Sequence, residues 1–151
     1  MKPAVHLYLL LLLVIATFLL SCNSEDISKY FTPTSTTVST PLSGKTSVMG
    51  RVISKKTGLP LNGIDVWLAK VIRQDSESIY ILDTLNSPSI LTNEKGAFVI
   101  QNIDPGEYVI VIGNPEILYE IISEEPGQAK IWKLLNDTVI DVGDLFVSNF
   151  K

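Results

Sequence analysis

Chemistry needs reactive side chains, and the 151-residue chain holds few of them: one histidine, His6, and one cysteine, Cys22. Both stand near the start. A Ser-His-Asp arrangement or a Cys-His nucleophile pair needs an imidazole beside the nucleophile, and the rest of the chain has none. Zinc sites built from Cys and His need more of these ligands than the chain supplies. No Gly-x-x-x-x-Gly-Lys phosphate loop and no Asp-x-Asp-x-Asp-Gly calcium loop occurs. Oxygen chemistry is what remains. The 16 acidic residues leave a carboxylate-dependent hydrolase formally open. Such a pair needs one carboxyl with a raised pKa inside a cleft, whereas the acidic residues here stand mostly in expected turns. Asp75, Glu77 and Asp83 read as solvating the ends of a strand. No catalytic residue, cofactor or metal ligand is assigned, and the chain is not expected to be an enzyme.

The placement of Cys22 suggests a different use for it. Met1-Lys2-Pro3 is a short positive start, Leu7–Leu20 is almost wholly apolar, and the run ends in Leu19-Leu20-Ser21-Cys22. A charged start, an apolar stretch of roughly 7–15 residues and a small residue before the cut describe a secretory signal. The last four residues look like a bacterial lipobox, in which the cysteine is diacylated (palmitate being a typical acyl chain) and becomes the new N-terminus. The alternative, an uncleaved membrane helix, needs roughly 20 apolar residues. Either way the rest of the chain lies in the cell envelope, outside the cytoplasm and tethered to a membrane. If residues 1–21 are removed, Lys2 goes with them, and 11 basic residues of the original 12 face 16 acidic ones. That balance argues against nucleic acid and against an electrostatic grip on anionic lipid. His6 is lost too, and the lone cysteine cannot form a disulfide within the chain.

Residues 22–47 read as a tether. Thr32–Pro41 is rich in Ser, Thr and Pro and has almost nothing to bury. About 25 flexible residues hold a domain roughly 25–30 Å from its anchor. Ile27, Tyr30 and Phe31 are the apolar exceptions. Glu25-Asp26 faintly resembles an acidic surface-export signal, but two acidic residues are better explained as solvated linker charge. Asn136-Asp137-Thr138 matches a glycosylation sequon, accidental in a bacterial lipoprotein.

The domain, residues 48–151, is organised around Leu91–Ile112. Two apolar runs there are separated by Asn102-Ile103-Asp104-Pro105-Gly106 and preceded by Thr92-Asn93-Glu94-Lys95-Gly96. Gly96 can take φ > 0 and close the turn that Asn93 opens. Phe98 and Ile100 point to one face and Val99 and Gln101 to the other. Pro105-Gly106 fits a type II turn, with Gly106 supplying the positive φ. Tyr108, Ile110 and Ile112 share a face, and a tyrosine just after a corner can return its hydroxyl to a nearby backbone group. Upstream, Val48–Ile53 and Ile64–Ile72 read as strands around the turn Lys55–Gly63.

Two separated motifs here resemble the carboxypeptidase regulatory-like domains, a transthyretin-like β-sandwich family. The first is carried by Gly50, Val52, Thr57, Gly58, Pro60, Leu61, Gly63, Val66 and Leu68. The second comprises Thr92, Asn93, Gly96, Phe98, Pro105, Gly106 and Tyr108, with Asn93 where aspartate is commoner. The resemblance covers about Val48–Ile112. It implies a sandwich fold and a modular, usually non-catalytic role.

Beyond these motifs, Ser78–Leu85 fits a third strand. Ile117–Ser123 is a strand or a helical turn, and Lys130–Leu135 and Val139–Val147 are strands, the last with Gly143 at a bulge. The expected fold is an all-β, antiparallel, Greek-key-like β-sandwich of about seven strands. Ile64, Val66 and Leu68 face inward, which turns Asp65, Trp67 and Ala69 to the opposite face. Trp67 is a candidate partner-binding residue, with the Ser76–Pro88 insertion beside it; the competing reading has that insertion or the tether covering the indole. The function expected is a membrane-anchored, non-catalytic binding or structural module. Its partners would be the membrane, through the lipid, and an envelope protein or glycan; docking as an accessory subunit is the alternative.

Overall fold

A computed structural model of the chain describes residues 39–74 and 77–150. The expected signal segment, the lipidated Cys22 and the tether as far as Val38 lie outside the described residues, as do Asp75 and Ser76.

The described residues form an all-β sandwich of two main sheets. The first holds β1 (Thr46–Ser54), β5 (Ala97–Ile103) and β11 (Val139–Val147), in the order β11-β1-β5. The second is built on β2 (Asp65–Gln74) and β6 (Gly106–Asn114), with β10 (Ile131–Leu134) outside β6 and β3 (Glu77–Ile81) outside β2. Here β4 (Ser89–Leu91) extends the β3 edge along β2, and β7 (Leu118–Ile121) continues the β10 edge along β6. A small hairpin joins β8 (Ser123–Glu125) to β9 (Gln128–Ala129).

Alternation along the strands produces the core directly. Val48, Val52, Phe98, Ile100, Leu145 and Val147 of the first sheet meet Val66, Leu68, Tyr108, Ile110, Ile112 and Leu134 of the second, all buried. Each such aliphatic side chain contributes on the order of 1.5–3 kcal/mol by leaving water. Trp132 and Phe150 close the margins of this core.

Three features differ from the expectation. Eleven strands form among the described residues rather than about seven, because β4, β8 and β9 are two or three residues long and so too short to leave an alternating pattern, and Ile117–Ser123, a strand or a helical turn by sequence, holds the strand β7. The fold also begins before Val48. Thr46 and Ser47 are buried in β1, and the Leu42–Lys45 turn is tied down by Leu42 N–H to Asn102 Oδ1 (3.1 Å) and Gly44 N–H to Asp137 Oδ1 (2.7 Å). Finally, β11 runs parallel to β1, whereas the other strand pairs are antiparallel. Gly143 lies in the expected bulge: Met49 pairs with Asp141 and Arg51 with Asp144, so two β11 residues oppose Gly50.

Candidate functional site

The loop after β3 and the β5–β6 corner face each other across a cleft of about 340 Å³. Ligand sites combine an apolar floor with a few converging polar groups, and this cleft has both. Leu68 and Ile72 of β2, Ile81 of β3, Ile103 of β5 and Tyr108 of β6 supply apolar lining. Around them stand Lys70, Asp83, Asn86, Ser87, Asn102 and Asp104.

Each wall is fixed by its own sequence. Asp83 organises the loop as Asp side chains do in turns, by bonding the backbone two residues on. Its carboxylate accepts Leu85 N–H (2.9 Å) and Asn86 Nδ2–H (2.6 Å), and its own N–H donates to Ser87 Oγ (2.9 Å). Leu68 N–H donates to the Pro88 carbonyl, which fastens the end of the loop to β2. On the other wall Asn102 adopts a left-handed φ of 57° and its side chain holds Leu42 N–H. Asp104 pairs with Lys45 at 2.6 Å. The Tyr108 hydroxyl donates to the Asp104 carbonyl at 2.9 Å, so the corner is locked from beneath.

These contacts set the charge states. The Asn86 side chain and the Leu85 N–H hold the Asp83 carboxyl below its usual range. Asp104 is also lowered, first by the hydrogen bond from Lys45 and then by that ammonium's charge, with Lys70 adding to the effect. Burial pushes Tyr108 up, and the Asp104 charge adds to it. The cleft therefore presents the carboxylates of Asp83 and Asp104 beside Lys70, side-chain amides and hydroxyls around its apolar lining. Among the described residues no group of three or more His, Cys, Asp or Glu is placed to hold a metal. No helix long and apolar enough to cross a membrane occurs among the described residues.

The residues singled out from the sequence are distributed over the fold. Trp67 lies on the outer face of the second sheet, away from the cleft. Its ring is half-buried against Ala69, Val71, Val109 and Val111, and its N–H donates to the Gly113 carbonyl at 3.1 Å. The insertion next to it divides its side chains: Leu82 packs on the same outer cluster, whereas Ile81, Asp83, Asn86, Ser87 and Pro88 line the cleft. Gly96 has φ 70° in the turn where Asn93 Oδ1 accepts the Lys95 and Ala97 N–H groups. Gly106 requires a correction. Its φ is 158°, far from the roughly +80° of a type II turn. The chain instead reverses with Asn102 in the left-handed region, which leaves Pro105 ahead of a nearly extended Gly106 paired with Leu134.

Thr92, a residue of the second motif, is also a structural tie. It is 3% exposed, and its hydroxyl donates to the Leu61 carbonyl (2.7 Å) while accepting Ile64 N–H (3.0 Å). One side chain thus ties together the two motifs of the resemblance. Lys70 carries no local signal and Asn102 only that of a turn, because nothing local marks a cleft assembled from residues more than 30 positions apart.

No family model matches the sequence, and no curated protein matches it either. Solved structures resemble it at low identity. A DUF3823 family protein from Bacteroides uniformis is 16% identical over 70% of this chain and 44% of that chain, with a TM-score of 0.44. A Pseudomonas aeruginosa protein described as carbohydrate-binding is 14% identical over 72% of this chain and 92% of its own, with a TM-score of 0.43. Klebsiella pneumoniae 5-hydroxyisourate hydrolase is 11% identical over 70% and 92%, with a TM-score of 0.40. The chain spans less than half of the B. uniformis protein. All three TM-scores lie below 0.5, and the all-β class rests on the strands of this chain itself.

Proposed function

We propose that the chain is a lipid-anchored module of the bacterial cell envelope, carried outside the cytoplasm, that binds a glycan without catalysing a reaction. The observation that carries the binding reading is the cleft. Its amides, hydroxyls, carboxylates and ammonium both donate and accept, as the hydroxyls of a sugar require. The exposed side chains of Ile72 and Ile81, backed by the buried Leu68, Ile103 and Tyr108, offer apolar surface to the face of a sugar ring. A non-catalytic role is supported by the carboxyls: a general acid needs a raised pKa, and Asp83 and Asp104 are both lowered. The anchor reading rests on Leu19-Leu20-Ser21-Cys22.

Two experiments test this. The first presents the detergent-solubilised full chain to a glycan array. Lys70→Ala and Asn102→Ala are expected to weaken retention about tenfold or more, equivalent to about 1.4 kcal/mol. Retention that ignores both substitutions, or glycan turnover lost on replacing a single carboxylate, would refute the binding proposal. The second is intact-mass analysis of the membrane-bound protein, with a diacyl increment expected on Cys22 and processing lost in Cys22→Ala. A free thiol at Cys22 would sink the anchor.

A further inference from the structure

We infer that β3 is a self-association edge, through which two copies of the chain pair antiparallel and continue the second sheet across a two-fold axis.

Free sheet edges invite pairing, and folded proteins blunt them with charge, proline, bulges or brevity. The other edges here are blunted. β11 carries Asp141, Asp144 and the bulge at Gly143. β10 carries Lys133 and β7 carries Glu120, while β5, itself uncharged, exposes only Gln101 and the left-handed Asn102. β4 is three residues long and follows Pro88. In β3 the only charge is Glu77, at one end, and the run Ser78-Ile79-Tyr80-Ile81-Leu82 is uncharged and strongly β-forming. Every residue of β3 is exposed, including Ile79 at 54%, Tyr80 at 45% and Ile81 at 49%. Its inner neighbour Ile72 is exposed at 43% although it sits within β2.

The occupant follows from register. Ile72 is directly opposite Ile79, so the two share one face. A two-fold axis at Ile79 sets Ile79 against its own copy, Ser78 against Tyr80, and Glu77 against Ile81. No two like charges then oppose each other. A continuous row forms across four strands: Ile72 and Ile79 of one copy, then Ile79 and Ile72 of the other. A foreign strand would pair with β3 but would not bring a second Ile72 to complete that row.

Sedimentation velocity of the full chain in density-matched detergent tests the inference. A dimer that dissociates on dilution is expected. Ile79→Lys sets two ammonium groups together on the axis and should leave only folded monomer, with a melting temperature that no longer rises with protein concentration, whereas Ile79→Val should remain dimeric. Wild-type protein that stays monomeric at roughly 100 µM overturns the inference, and so does a dimer that survives both Ile79→Lys and Ile72→Lys. If the wild type is monomeric but Ile79→Lys abolishes retention of another envelope protein, the second copy is excluded and a foreign strand occupies the edge.

Discussion

At Gly96 a methyl group would lie 2.5 Å from the Val52 carbonyl oxygen and 3.0 Å from Pro60 Cβ, on a backbone already at φ 70°. At Gly106 the nearest atom to such a methyl would be a Tyr108 ring carbon at 3.4 Å, an ordinary contact. Gly96→Ala therefore adds a clash with backbone to the strain of about 1–3 kcal/mol that a left-handed residue stores. Gly106→Ala lacks that clash. Denaturant melts should show Gly96→Ala to be the more destabilising of the two; the reverse order would mean that the Gly106 backbone matters more than its surroundings indicate. Tyr108→Phe keeps the buried ring but loses the hydroxyl's bond to Asp104, which should cost about 1 kcal/mol. The Tyr108 pKa is raised on folding, so its contribution to stability is present below the ordinary tyrosine value of about 10 and is lost as pH rises through the higher folded value. Alkaline melts above that point should fall more steeply for wild type than for Tyr108→Phe.

Strand β6 is the element that the second sheet depends on. It pairs with β2, β10 and β7, and its alternate residues feed two apolar clusters: Tyr108, Ile110 and Ile112 inside the sandwich, Val109 and Val111 outside it. Opposite it in the core stands Phe98 of β5, 2% exposed. Phe98→Ala should cost roughly 3–5 kcal/mol as a core truncation, and a neutral result in denaturant melts would contradict its position in the core. The elements are also stitched by exposed ion pairs: Arg51–Asp144 between β1 and β11, Arg73–Glu107 between β2 and β6, and Lys45–Asp104 at the corner. Exposed pairs are individually weak. Their carboxyls are nonetheless all lowered, in each case chiefly by the hydrogen bond from the partner cation. The sign follows from linkage: this stability is present above the unfolded carboxylate values near 4 and is lost as pH falls through the folded ones. Melting temperature should therefore decline below about pH 4, and Asp144→Asn should flatten that decline.

At the scale of the whole molecule, the second sheet has two apolar faces, and only one of them meets the first sheet. The outer cluster is finished by side chains that pack back on it: Trp67, Leu82, Ile121 and Ala129. Trp67→Ala should accordingly lower the melting temperature, by the equivalent of about 1–3 kcal/mol, without changing glycan retention. Retention lost at an unchanged melting temperature would make Trp67 an anchor for a partner after all.

Period-two alternation of apolar residues is a local property, so the sequence by itself determined the long strands, the inward set Val66, Leu68, Phe98, Ile100, Tyr108, Ile110 and Ile112, and the all-β class. The turn at Asn93–Gly96 was equally legible, because its hydrogen bonds close within five residues. Strand direction is not encoded in alternation, so only the tertiary structure decided that β11 lies parallel to β1. It also decided which residue reverses the chain before β6. Pro105-Gly106 is a strong local turn signal, but pairing of Gly106 with Leu134 requires an extended backbone and moves the left-handed residue to Asn102. The cleft, finally, brings Lys70 and Asn102 to one wall-and-floor arrangement with Asp83 and Tyr108. Lys70 and Asp83 are distant in the chain from Asn102 and Tyr108, and no local pattern brings the two pairs together.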